Sequence, residues 1–227
     1  MAINQKNKKK ELKEPDKFLQ FVNDSIIYWH ENKTQILGSI GIILLLFIFV
    51  ISLRAYSNMK ENNSSSLLGK AMNKYASIKD TDPKKAYTDC ETDFKVIIDK
   101  YSGTSSSKYA KLYWANMCYE NADYDKALSL YEESMKNFKA DSFTHQLIIK
   151  NLGYSYMAKK DYEKSLKYFE ILSNDKNSLI NSDVWYNMGI IYSRLGQNDK
   201  SANAFKKILS DYPDSIYINI VKEKTAI

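Results

Sequence analysis

Proline occurs only 3 times and glycine 7 times in 227 residues. So few breakers exclude an architecture of many short strands joined by turns, and so few glycines leave no glycine-rich phosphate loop; the balance favours helices. Histidine and cysteine occur twice each, which leaves almost nothing for a metal site or a catalytic constellation. His145 has no Cys, Asp or Glu at ligand spacing, and no serine lies in a nucleophile-elbow sequence. Charge of one sign is also in short supply. There are 33 basic and 27 acidic residues, a net +6, spread rather than clustered as nucleic-acid binding requires. The expectation is a protein that is not an enzyme, with no cofactor, no metal, no nucleic-acid partner and no small-molecule substrate.

Tyrosine, by contrast, is abundant, at 18 against 9 phenylalanines. The second positive feature is Ile36–Leu53, 18 consecutive uncharged residues. As a helix this run rises roughly 27 Å, close to the ~30 Å hydrocarbon core of a bilayer. A cleaved signal peptide has a shorter apolar region, ~7–15 residues, although Ala55-Tyr56-Ser57 offers a weak small-x-small pattern. No cysteine at the end of the run supplies a lipid-anchor box. The run therefore reads as an uncleaved transmembrane anchor. Lys6, Lys8, Lys9, Lys10, Lys13, Lys17 and Lys33 precede it, and only Arg54 and Lys60 follow closely. Positive charge is retained in the cytoplasm, so the N-terminus is expected inside and the C-terminal part outside.

Ahead of the anchor, Pro15-Asp16 suits a helix start. Leu19, Val22, Ile26 and Trp29 then recur at three- and four-residue steps among polar residues. That pattern predicts an amphipathic helix, lying on the membrane surface or packed on a partner protein. After the anchor, Tyr56–Ser66 contains Glu-Asn-Asn-Ser-Ser-Ser and reads as a flexible tether. The expected organisation is a disordered basic cytoplasmic tail (1–15), an interfacial helix (16–33), a transmembrane helix (34–55), a flexible linker (56–66) and an all-α domain (67–227).

Within that domain the sequence repeats itself. Trp185, Met188, Gly189, Tyr192, Ser201, Phe205, Ile208 and Pro213 fall at positions 4, 7, 8, 11, 20, 24, 27 and 32 of a unit starting at Ser182. Ile149, Leu152, Gly153, Tyr156, Ser165, Phe169 and Leu172 take the first seven of these positions from Gln146, with Asn177 in place of the terminal proline. From Lys108, Trp114, Ala115, Cys118, Ala127, Tyr131 and Ser134 do so from position 7 onward. Asp123 and Asp161 stand where they can cap the second helix of a pair. This pattern closely resembles the tetratricopeptide repeat. It predicts units at about 71–104 (degenerate), 108–141, 146–179 and 182–215, with a capping helix at 216–225. The fold class expected is all-α: one N-terminal transmembrane helix followed by a tetratricopeptide-repeat α-solenoid.

The resemblance implies a superhelix whose inner surface is lined by the first helix of each unit. The peptide-groove candidates are Tyr109, Tyr113, Asn116 and Tyr119 from the first full unit, Lys150, Asn151, Tyr154 and Met157 from the second, and Tyr186, Asn187, Ile190 and Arg194 from the third. Tyrosine, asparagine and methionine suit an extended peptide through stacking, hydrogen bonds and adaptable area. Lys150, Asn151 and Asn187 match part of a carboxylate clamp, but Asp183 stands where the last unit needs a base. Cys90 and Cys118 fall on inward positions, and the sequence leaves open whether they are bridged.

The segment PDKFLQFVNDSIIYWHENKTQILGSIGIILL, with its Trp29-His30-Glu31-Asn32 turn, resembles the start of the YfgM-like ancillary subunits of the SecYEG translocon; Phe94–Ala115 is similar to that family as well. The resemblance implies a single-pass bacterial inner-membrane protein with a periplasmic domain. Its implied partners are the SecYEG translocon, a periplasmic chaperone or prolyl isomerase, and emerging chains. A membrane-anchored scaffold for another envelope complex, in secretion or division, is the alternative.

Overall fold

In the computed structural model, residues 16–139, 142–174 and 180–225 are described. The expected tail at 1–15 and Asn177 lie outside them. The chain divides into two compact units, Met1–Met59 and Lys60–Ile227.

The first unit is helical from Lys17 on. Helix α1 (Lys17–Lys79) contains the apolar run and is long and apolar enough to cross a membrane. No side chain of its apolar window is buried in the protein; Leu45 and Phe47, for example, are exposed. A core helix of a soluble domain would bury such residues.

Three expected boundaries are absent, those at 33/34, 55/56 and 66/67. The interfacial segment, the apolar run and Tyr56–Ser66 all belong to α1, and the flexible linker is corrected to helix. Tyr56–Ser66 holds neither proline nor glycine, so nothing breaks the helix, and tertiary contacts outweigh the weak helix propensity of its Asn and Ser residues. Within the second unit, Glu61 accepts hydrogen bonds from the backbone N–H groups of Ser105 (2.7 Å) and Ser106 (3.0 Å) and from Ser106 Oγ (2.7 Å). Ser64 is fully buried, its Oγ 3.2 Å from Thr104 Oγ1. Lys60 Nζ reaches the Ser102 carbonyl at 3.0 Å. Leu67, Leu68, Ala71, Met72 and Tyr75 then join the core. The first helix of the degenerate unit thus begins ahead of Ala71.

The second unit continues as α2 (Pro83–Lys100), α3 (Ser105–Glu120), α4 (Tyr124–Met135), α5 (Phe143–Ala158), α6 (Tyr162–Ser173), α7 (Asn181–Arg194), α8 (Asn198–Asp211) and α9 (Ile218–Thr225). The described residues contain no strand. From α2 onward each helix packs on the next in sequence, most closely within the pairs α3–α4, α5–α6 and α7–α8. This is a one-dimensional stack of helical hairpins. Asp123 and Asp161 cap α4 and α6, accepting from the N–H groups of Lys126 (3.4 Å) and Lys164 (3.2 Å).

Small residues set the spacing inside each pair. A Cβ on Gly153 would stand 2.9 Å from the Phe169 ring, and one on Gly189 only 2.5 Å from the Phe205 ring. The serines at the facing position of the second helix do more than leave room. Ser165 Oγ donates to the Gly153 carbonyl and Ser201 Oγ to the Gly189 carbonyl, both at 2.8 Å. The first full pair has Ala115 and Ala127 at these places, and Tyr131 Oη donates instead to Asn116 Oδ1 at 2.6 Å.

Candidate peptide-binding groove

The candidate residues come from α3, α5 and α7, which lie side by side along the stack. The structure sorts them into three groups.

The first group is open. Tyr113 is 38% exposed and, with Met72, Tyr75, Lys79, Asn116 and Glu120, borders a cavity of about 270 Å³. Tyr75 Oη donates to Glu120 Oε2 at 2.8 Å across it. A second cavity, about 350 Å³, is bordered by Tyr119, Met157 and Arg194 together with Tyr154, Lys160 and Tyr162. Tyr109 is 40% exposed and leans on Phe138, ring centroids 5.2 Å apart.

The second group is spent on holding the stack together. Asn116 Oδ1 accepts from Tyr131 Oη and from Asn151 Nδ2 (3.1 Å), tying α3 to α4 and α5. Tyr154 Oη faces both oxygens of Asp183 at 2.8 Å, Asn187 Nδ2 donates to Tyr154 Oη at 3.0 Å, and Lys150 Nζ lies 3.5 Å from Asp183. Burial, with the neighbouring Asp183 charge, raises the Tyr154 hydroxyl well above its ordinary value, so it remains a proton donor.

The third group is covered. Tyr217, in the turn before α9, stacks on Tyr186 with centroids 4.2 Å apart and planes 10° from parallel. Its hydroxyl donates to Asp183 Oδ1 at 2.6 Å. Ile190 packs against the cluster of Phe205, Ile208 and Val221, the last contributed by α9. The C-terminal segment therefore covers Tyr186 and Ile190 at this end of the candidate groove.

Several residues were missing from the sequence reading. Met72, Tyr75 and Lys79 enter because α1 supplies the missing first helix. Lys160 enters from the turn between α5 and α6, and Tyr162 from the start of α6. Asp183, which speaks against a carboxylate clamp, is the hub of the closing network. The aromatic Tyr217 just beyond Pro213 was the one sequence signal for that closure.

No group of three potential metal ligands occurs among the described residues. Cys90 and Cys118 are free and buried. Burial pushes the Cys118 thiol up to about 11 and raises that of Cys90, so neither is a thiolate nucleophile near neutral pH.

Helical hairpins stacked in one dimension, with an open tyrosine-lined face, define a helical-repeat interaction scaffold. Residues 27–225 match the family model described as tetratricopeptide repeat-like domain, and the chain belongs to that family. No curated protein matches the sequence. Among solved structures, a tetratricopeptide repeat protein from Parabacteroides merdae superposes with a TM-score of 0.55 at 18% identity, over 69% of this chain and 58% of that one. The chain thus spans little more than half of that protein's length. The putative kinesin light chain repeats of Podosopora anserina give 0.55 at 10% identity, over 73% of this chain and 85% of that one. At these identities the likeness is one of fold. The tetratricopeptide-like fold is a scaffold of the protein-interaction type.

Proposed function

We propose that the chain is a membrane-anchored, non-enzymatic adaptor that holds an extended segment of a partner protein in the groove along α3, α5 and α7. The observation that carries this reading is the pair of tyrosine-lined cavities in a helical-repeat unit whose chain also contains an exposed apolar helix. An extended chain presents hydrogen-bonding backbone and alternating side chains, and an open face of rings, methionine and amides suits it. On this reading α1 crosses the bacterial inner membrane with its N-terminus cytoplasmic and the repeats periplasmic. The resemblance of Pro15–Leu45 to the YfgM-like family then supports a place beside the SecYEG translocon, with a periplasmic chaperone or prolyl isomerase and emerging chains as partners.

The test is photocrosslinking in cells from Tyr113 and Met157, each replaced by a photoreactive amino acid. The expected adducts are translocon subunits and chains in transit. Adducts with components of a secretion or division complex would assign the adaptor to that machine instead. The disruptive control is Tyr119→Ala with Met157→Ala, which opens the groove wall without touching the Asp183 network.

A further inference from the structure

The two cavities differ in charge. At the first, Glu120 is engaged by Tyr75. At the second, Lys160 and Arg194 border the same space and meet no carboxylate among the described residues. Their neighbours behave otherwise. Lys150 faces Asp183, Lys159 pairs with Asp125 and Lys164 pairs with Asp161. Asp183, which Tyr154 of this cavity bonds, is already shared by Lys150, Tyr154 and Tyr217. Two cations at one rim repel each other and lose favourable solvation as a ligand covers them, unless the ligand brings an anion.

The walls set the rest of the ligand. Met157, Ala158 and the rings of Tyr119 and Tyr162 form an apolar surface beneath the two cations. A free inorganic anion would leave that surface unfilled, and a purely apolar chain would leave the cations unpaired. A side-chain carboxylate followed or preceded by an aliphatic residue satisfies both, and 350 Å³ accommodates that pair. Lys160 is held in place by its turn, where it takes φ 62° and its N–H donates to the Met157 carbonyl at 2.9 Å. Arg194 stands in the last turn of α7.

We propose that the cavity bordered by α3, α5 and α7 recognises an internal acidic side chain of an extended partner segment, held between Lys160 and Arg194, with the adjacent aliphatic side chain on Met157 and Tyr119. This rests on the reading that the groove holds a partner segment, and it adds that segment's chemistry. The main chain of the partner carries no charge there, so selection between partners falls to the acid.

The test uses the full chain in nanodiscs of neutral lipid at low ionic strength. The probes are 12-residue glycine–serine peptides, acetylated and amidated, with a central Leu-Glu-Leu, Leu-Gln-Leu or Leu-Lys-Leu, and binding is followed by fluorescence anisotropy. The glutamate peptide is expected to bind about tenfold more tightly than the glutamine peptide, and moderate salt should narrow the gap. Lys160→Gln with Arg194→Gln should abolish the preference. Lys160→Glu with Arg194→Glu should transfer it to the lysine peptide, an outcome that a misfolded variant could not give. Equal binding of the glutamate and glutamine peptides, lost in the Tyr119→Ala/Met157→Ala variant, would overturn the acidic specificity and leave the groove reading intact. A glutamine peptide with a free C-terminus that binds as well as the glutamate peptide would shift recognition to chain ends and overturn it too. Binding by none of the peptides, or binding indifferent to Tyr119 and Met157, would overturn both readings.

Discussion

Gly153 and Gly189 occupy equivalent places, yet their surroundings differ by enough to be measured. A methyl group at Gly189 would stand 2.5 Å from the Phe205 ring, against 2.9 Å from the Phe169 ring at Gly153. Replacing glycine by alanine inside a helix gains about 1 kcal/mol of propensity. At Gly153 the buried Phe169 ring must give too, but by about 0.4 Å less than its counterpart at Gly189. At Gly189 the ring must move, and Phe205 is only 5% exposed and wedged against Ile208 and Val221. Gly189→Ala is therefore expected to destabilise the repeats by about 1–2 kcal/mol more than Gly153→Ala, and Gly189→Leu to cost about 2–4 kcal/mol. Thermal melts of the full chain in detergent check both; equal melting temperatures for the two alanine variants would contradict the packing described. The sequence showed the small–aromatic pairing at this scale because it recurs at fixed spacing. It did not show that Ser165 and Ser201 bond the glycine carbonyls, nor that Tyr154 is consumed by Asp183 and Asn187. Those partners come from different helices, and their meeting depends on stacking geometry that spacing along the chain does not reveal.

Helix ends were legible where local signals agreed: Asp123 and Asp161, before their helices, accept N–H bonds as caps, and the structure adds Asp82 before Pro83 in the same role. The turns within pairs carry a less visible regularity. Ala122, Lys160 and Gly196 take φ of 61°, 62° and 70°, and each following residue donates across the helix end at 2.9 Å, to Cys118, Tyr156 and Tyr192 respectively. This is a left-handed helix stop, for which only Gly196 has the unstrained residue. Ala122→Gly should accordingly stabilise the chain by about 0.5–1 kcal/mol, because relief of a positive-φ alanine exceeds the extra unfolded-state entropy of glycine. A lowered melting temperature would show that the turn does not hold this conformation.

Tyr56–Ser66 misled because Asn and Ser usually mark a tether, whereas here Glu61 supplies the anion that α3 needs at its N-terminus. Desolvation opposes ionisation of Glu61. The hydrogen bonds from Ser106 Oγ and from the Ser105 and Ser106 N–H groups outweigh it and hold the carboxyl below its ordinary value. A depressed carboxylate contributes stability that is present above the unfolded-state value, about 4, and is lost as pH falls through the folded-state one. Glu61→Gln should therefore cost about 1 kcal/mol at neutral pH. The gap from wild type should close as the pH drops below the ordinary carboxylate range. A gap that stays constant from pH 7 to pH 3 would remove the carboxylate from the joint.

The repeats were legible for the whole molecule because no single hairpin can bury its apolar side alone, so the pattern must recur. The proposed orientation of the chain in a membrane rests on a different kind of evidence, the distribution of charge about an apolar helix. Lys6, Lys8, Lys9, Lys10, Lys13, Lys17 and Lys33 lie before Ile36–Leu53, and Arg54 and Lys60 lie just after it. Lysines on the entry side resist translocation, and Asp16, Asp24 and Glu31 do little to counter them, because acidic residues contribute weakly to orientation. A reporter that is active only in the cytoplasm, fused after Ile227, should therefore be silent, and one that is active only outside it should work. The same argument predicts a graded failure. Changing the five lysines from Lys6 to Lys13 to glutamine leaves two lysines before the span against two basic residues after it, so the bias disappears and both reporters should register. A bright cytoplasmic reporter on the unaltered chain would place the repeats inside, and the acid-selective groove would then have to serve a cytoplasmic partner. An unchanged pattern after the lysine substitutions would mean that orientation is set by folding of the repeat unit rather than by charge.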